Sequence, residues 1–154
     1  MKKFIFLAIL AIASTINLHA MQGDVSIAPQ FVYASRHSMA GLGAQLQYEP
    51  ITNWRIAPEF IYFFENDNRS GLNANLNIHY VIPTSTTFAI YPLAGFSYGH
   101  YEAFDVGDDR CGANVGLGVQ YQIKERLYFF SEERFQIMKD NNQSATVLGL
   151  KYTF

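Results

Sequence analysis

The chain of 154 residues has one cysteine, Cys111, and one tryptophan. A single cysteine excludes an intramolecular disulfide, and no Cys/His spacing of the zinc-binding kind occurs. Charge is scarce as well: Asp, Glu, Lys and Arg make up 16% of the chain, against about 25% in ordinary soluble domains. The formal net charge is −2. No Lys/Arg cluster exists beyond Lys2-Lys3, so the electrostatic footprint of a nucleic-acid binder is missing. Beyond the N-terminal segment, no stretch approaches the ~18 consecutive apolar residues of a membrane helix. With so little charge and a mean hydropathy of +0.01, the chain must carry its polarity on amides, hydroxyls and glycine.

The first twenty residues read MKKFIFLAILAIASTINLHA. Lys2 and Lys3 form a basic region, Phe4 to Ala13 an apolar core, and Leu18-His19-Ala20 a cleavage site. This is the pattern of a secretory signal peptide, which divides the chain into residues 1–20, removed on export, and a single domain over residues 21–154.

Aromatic residues and alternation are abundant. Phe, Tyr and Trp reach 16%, with 13 Phe and 10 Tyr. In the stretch LNANLNIHYVI, Leu72 to Ile82, every second residue is apolar, which is the period of a β-strand with unlike faces. Seven further segments repeat the pattern: Asp24 to Ala34, Met39 to Tyr48, Trp54 to Phe64, Thr87 to Tyr101, Gly112 to Ile123, Arg126 to Ile137 and Ser144 to Phe154. On the fifth, the least regular, the apolar face is read as Phe88, Ile90, Ala94, Phe96 and Tyr98. Each segment matches the ~9–11 residues that cross a bilayer as a tilted strand. Tight connectors at Pro50 to Asn53, Pro83 to Thr86 and Lys124-Glu125 alternate with mostly longer polar ones, SRHS, ENDNRSG, EAFDVGDDR and KDNNQS. The expected fold is all-β: an eight-stranded antiparallel up-and-down transmembrane β-barrel, with both termini on the short-turn, periplasmic side.

The alternation alone does not say which face is wet. In a soluble barrel the polar face would be rich in Lys and Glu. Here it carries mostly Gly, Asn and Gln, such as Gly41, Gly43, Gln45, Asn73, Asn75 and Asn114, which are good fillers of a narrow interior. Aromatics on the apolar face gather at strand ends. Tyr48, Trp54, Tyr80, Phe88, Tyr121 and Tyr152 lie near the short turns, and Tyr33, Tyr62, Phe64, Tyr98 and Phe135 near the loops. Two aromatic belts around an aliphatic band are what the two interfaces of a bilayer select. A sheet in lipid must also close on itself, so the eighth segment has to pair with the first.

Inward positions then include Arg55, Glu59, Glu132, Arg134 and Lys151, charges that need partners in a narrow lumen. Counting register from the KDNNQS loop sets Glu132 nearly opposite Lys151. The expected role of the five is a polar network that plugs the lumen; the alternative is a narrow porin-like path for water, ions or small solutes. Glu133 breaks the pattern, because strict alternation sends its carboxyl towards lipid. A bulge around Ser131 to Arg134, or a position near the outer interface, would relieve it. Pro29, Pro58 and Pro92 lack ladder donors and should each sit at a bulge or a locally unpaired site. EAFDVGDDR reads as an acidic solvated loop without the spacing of a calcium-binding loop.

For catalysis, His37 beside Ser35 and Ser38, and His100 beside Glu102, are the only surface candidates. No His-x-Ser pair occurs, and His79 reads as a hydrogen-bonded filler of the lumen. The sequence therefore supports no enzyme, with lipid modification a remote alternative, and no cofactor or metal site.

The ending LGLKYTF places Leu148, Leu150, Tyr152 and the terminal Phe154 on one face. It resembles the C-terminal signal of bacterial outer-membrane barrels, and the domain as a whole resembles the small OmpA/OmpX-type barrels. That resemblance implies location in the bacterial outer membrane, insertion by the barrel-assembly machinery, contact with lipids including lipopolysaccharide, a monomer, and a structural or surface-interaction role through the outer loops. The loops here are short, which argues against the far-protruding sheet of OmpX-like proteins.

Overall fold

The structure is a computed structural model that describes residues 23–36, 38–66, 69–103, 106–138 and 142–154. The signal-peptide segment and His37 lie outside these. Eight long strands follow one another: β1 Val25–Ala34, β2 Met39–Ile51, β3 Trp54–Asn66, β4 Arg69–Tyr80, β5 Phe88–Ala103, β6 Val106–Lys124, β7 Leu127–Met138 and β8 Gln143–Thr153. A two-residue piece, Ile82–Pro83, continues β4 in the same register against β5. Each strand pairs antiparallel with its neighbours in sequence, and β8 returns to β1 from Ser26↔Thr153 to Ala34↔Ala145. The sheet is a closed up-and-down barrel.

Its stagger follows from the registers. Stepping sideways from Val25 leads through Tyr48, Ile56, Ile78, Ala94, Val115, Phe135 and Ser144. The last step, the bond from Ser35 N to Ser144 O at 2.9 Å, lands on β1 ten residues above the start. That shear tilts the strands by ~40° and leaves a lumen only wide enough for side chains.

The outer surface is the apolar face of every strand. Ile27, Leu42, Ile56, Leu76, Phe96, Val115, Leu148 and their like are exposed, while the alternate positions are buried. The fifth segment follows suit, with Phe88, Ile90, Phe96 and Tyr98 outside. Such a predominantly apolar girdle is stable against hydrocarbon and unstable against water. Trp54 and Tyr80 meet at 5.0 Å in the lower aromatic ring, and Tyr62 and Phe64 at 6.0 Å in the upper one.

Pro29, Pro58 and Pro92 each face outward beside a gap in one ladder, with no bulge. Pro29 lies where the β1–β8 pairing lapses between Ile27 and Gln30. Pro58 lies where β2–β3 lapses between Gln45 and Tyr48. Pro92 lies where β4–β5 lapses after His79, and there the strand between Tyr80 and Ile82 is interrupted. A missing N–H removes one rung while the register carries through. The turn after β2 is closed by Asn53 at φ 70°, a left-handed residue that asparagine tolerates.

Three sequence expectations are corrected. EAFDVGDDR is largely strand rather than loop: His100↔Asp109 and Glu102↔Gly107 continue the ladder to Ala103↔Val106. The β5–β6 hairpin therefore rises roughly 10 Å beyond the β1–β2 turn, at ~3.3 Å per residue along a tilted strand. Second, no bulge interrupts Ser131 to Arg134; β7 keeps one register against β6 from Gly112↔Met138 to Gln122↔Tyr128. Third, the lumen is not uniformly polar. Val32, Ile61, Phe63, Phe130 and Val147 point inward and pack together, filling the side bounded by β1, β3, β7 and β8.

Candidate functional site in the lumen

Five strands aim polar side chains at one level of the remaining lumen. Arg134 of β7 is the centre. Its Nη1 and Nη2 donate to the two carboxylate oxygens of Glu59 on β3, at 2.7 and 2.6 Å. Its Nε donates to Glu132 Oε2 at 2.8 Å, and Nη2 also meets that oxygen. The planar guanidinium can hold one carboxylate with its fork and the other with its edge, which a lysine could not do. All three side chains are at most 1% exposed.

The carboxylates are satisfied further by neutral groups. Gln45 Nε2 donates to Glu59 at 2.9 Å, and Asn75 Nδ2 to the other Glu59 oxygen at 2.7 Å. Tyr91 OH donates to Glu132 Oε1 at 2.8 Å. Gln47 Nε2 in turn fixes Gln45 by its carbonyl at 2.7 Å. Two carboxylates against one guanidinium leave an excess negative charge, and these donors disperse it. Tyr91 reaches Glu132 because Gly118 has no Cβ, which would otherwise strike the ring.

Above this knot lies an amide ladder. Asn114 donates to Asn75 and Asn77 at 3.1 and 3.0 Å, Gln136 to Asn114 at 3.2 Å, and Gln143 to Gln136 at 2.6 Å. Below it, towards the short turns, Arg55 donates to Glu49 at 2.9 and 2.6 Å and to Gln120 at 3.1 Å. Lys151 donates to Gln120 at 3.2 Å and lies over the Tyr128 ring, 4.3 Å from its centroid.

All five charges expected in the lumen therefore lie inside it, but in two groups. Glu59, Glu132 and Arg134 bond directly; Arg55 and Lys151 share Gln120 one layer lower. Glu132 does not oppose Lys151. Its partner on β8 is Val147, and Lys151 opposes Tyr128, because β7 and β8 pair as Gln136↔Gln143, two residues earlier on each strand than a loop of KDNNQS implies. His79 is no hydrogen-bonded filler: both ring nitrogens lack a protein partner among the described residues, and the ring stacks on Tyr91 at 4.9 Å. The amide of Gln30 is similarly buried and unpartnered, so these are the places where internal water would be held. Tyr91 and Glu49 are site residues that the sequence did not single out, and Gln45 and Asn75, read there as fillers of the interior, are direct donors to Glu59. The face read for the fifth segment, Phe88, Ile90, Ala94, Phe96 and Tyr98, already puts Tyr91 on the inward parity, which is the signal that could have found it.

Leu148, Leu150, Tyr152 and Phe154 all lie on the outer surface of the closing strand, and the Phe154 N–H donates to Val25 O at 3.0 Å. Among the described residues no group of His, Cys, Asp and Glu has metal-binding geometry.

Fold and lumen together define a small eight-stranded transmembrane β-barrel with a side-chain-filled interior. Solved barrels share that architecture. The N-terminal barrel domain of Pseudomonas aeruginosa OprF superposes with a TM-score of 0.75 at 17% identity, covering 86% of this chain and 98% of that one. Neisserial surface protein A gives 0.62 at 15% identity, over 86% of this chain and 96% of its own. Ail, the attachment invasion locus protein of Yersinia pestis, gives 0.55 at 17% identity, over 87% and 100%. No protein-family model matches the sequence, and no curated protein is detectably similar to it. At these identities the likeness is one of fold.

Proposed function

We propose that the protein is a closed barrel of the bacterial outer membrane that acts at its outer rim, as a structural or surface-interaction element, and does not pass solutes. The observation that carries this reading is the knot of Arg134 with Glu59 and Glu132. It joins β3 to β7 across the lumen through buried, charge-assisted bonds, and opening a path means breaking several of them at once. The β5–β6 hairpin supports a role at the rim. It is the part that stands furthest out, it carries His100, Glu102, Asp108 and Asp109, and among the described residues β6 is paired on one side only from Val106 to Cys111.

Recording in planar bilayers tests the proposal. The wild-type protein should give no discrete conductance steps, and Glu132→Ala or Arg134→Ala should either raise conductance or destabilise the barrel. Discrete steps from the wild type would favour the second reading, a narrow channel, for which the unpartnered groups of Gln30 and His79 are the supporting feature.

Two partners belong to the same proposal: lipids including lipopolysaccharide around the girdle, and the assembly machinery reading the strip that ends at Phe154. Deleting Phe154 should lower the amount inserted in cells without changing the stability of barrel refolded in vesicles. Lipid modification is not part of this reading, and lipid A of unchanged mass with and without the protein is the expected result.

A further inference from the structure

Glu133 stands one residue from the knot and faces the other way. The registers run unshifted through Leu117↔Glu133 and Glu133↔Thr146, so alternation carries this carboxyl to the outer surface. Thr146 Oγ1 donates to its Oε1 at 2.6 Å. The depth is not interfacial either, so neither the bulge nor the outer-interface position that the sequence reading offered applies. Glu133 is four residues above Phe129, the pairing partner of Tyr121 in the lower ring, roughly 10 Å along the barrel axis at ~3.3 Å per residue and a tilt of ~40°. At the same height the other strands present Ala44, Leu76, Ala94, Val115 and Leu148. Ser131, Glu133 and Thr146 are thus the polar interruption of an otherwise apolar girdle among the described outward residues between the two rings.

We propose that this patch is a self-association surface in the plane of the membrane, and that its occupant is a second copy of the chain. Acyl chains offer the carboxyl no donor, and an ionisable group at this depth is expected to have a specific partner. Copies inserted in the same sense present the same residues at the same depth, which is the condition for a closed two-fold contact. The patch is self-complementary: Glu133 accepts, Ser131 donates, and Thr146 can turn its one hydroxyl proton from Glu133 of its own copy to that of the other. A two-fold axis along the membrane normal, between β7 and β8, reverses the strand order and sets Glu133 of each copy against Thr146 of the other. The two carboxyls are then offset diagonally by about one strand spacing, ~5 Å, instead of meeting head-on. Leu117, the outward neighbour of Glu133 and 66% exposed, and Leu148 supply the apolar rim. No outward cation lies between the aromatic rings among the described residues, so a head-to-tail contact with another face has no charge to meet. This replaces the monomer expected from the sequence.

Cys111 is exposed on β6, six residues above Leu117 and so ~20 Å along the strand from the patch, and is the protein's one cysteine. It can be labelled with donor and acceptor dyes and the protein reconstituted in phosphatidylethanolamine/phosphatidylglycerol vesicles. Energy transfer should exceed that of randomly placed barrels. The associated fraction should fall about tenfold with Glu133→Leu and with Thr146→Val, and persist with Glu133→Gln, whose amide still bonds a hydroxyl. Heat-modifiable gel migration checks that each variant is folded; if Glu133→Leu were not, Thr146→Val carries the same expectation. Random-level transfer for the wild type would mean that lipid or another protein covers Glu133, and overturns the proposal. Association unchanged by both substitutions overturns it too.

Discussion

Glu132 and Glu133 are consecutive carboxylates in opposite surroundings. Glu132 is sealed in the lumen, where Arg134, Tyr91 and Gln45 donate to it. Glu133 faces the girdle with one hydroxyl at hydrogen-bond distance. Nothing in their own chemistry separates them; the two-residue period of a strand does. The interior carboxylate belongs to a cluster that satisfies it with several donors, so removing its partners is harmful. The exterior one is a local liability, so removing it is favourable unless a neighbour completes it.

The largest test of that contrast is Arg134→Met, which leaves Glu59 and Glu132 buried without their cation. A loss of ~3–5 kcal/mol is expected, read from urea unfolding in lipid vesicles, and a loss below about 1 kcal/mol would break the comparison. Next comes Gly118→Ala. Its Cβ runs into the Tyr91 ring and pushes the phenol away from Glu132, at a cost of ~1–3 kcal/mol for overpacking; a full-strength barrel would show that Tyr91 has room to move. Glu133→Leu works in the opposite direction. At a protein density low enough to keep copies apart, it should stabilise by about 1–2 kcal/mol, less than the measured penalty for a basic residue at mid-membrane.

The smallest effect lies on the hairpin outside the membrane. His100 Nδ1 and Asp109 Oδ1 are 2.5 Å apart. The hydrogen bond to Asp109 holds the His100 pKa above the ordinary histidine value, and the same bond, with one from Tyr98, holds Asp109 below the ordinary carboxylate value. The histidine contribution is complete below its unfolded pKa and is lost as pH rises through the raised folded value. The aspartate contribution is complete above its unfolded pKa and is lost as pH falls through the lowered one. The pair is therefore tightest between the two folded values. An NMR titration of the His100 ring should show the raised midpoint, and Asp109→Asn should return it towards that of a free histidine.

The strands and their facing were legible because the girdle is apolar and the lumen is mostly not. Where that contrast fails, so does the reading. Above Tyr101, which still packs on Phe63, the β5–β6 hairpin is in water, so Glu102 to Arg110 carries no two-residue hydropathy signal and looks like a loop. On β1 and β8, inward Val32 and Val147 match the outward residues, which hides the apolar half of the lumen. The pairing of Glu132 depended on loop length, which period cannot supply, and the count missed by four residues. Glu133 was legible as a conflict; its resolution was not, because a bulge and an interfacial depth both answer it and only the register excludes them.

The most direct measurement is proton cross-relaxation between lipid acyl chains and protein methyl groups of the wild-type barrel in nanodiscs. Methyls of Ile56, Leu76, Val115 and Leu148 should give strong cross-peaks to the chains, while those of Val32, Ile61 and Val147 give none. Acyl contacts at Val32 and Val147 with silence at Val115 and Leu148 would mean the wall is turned inside out, and the account would be wrong.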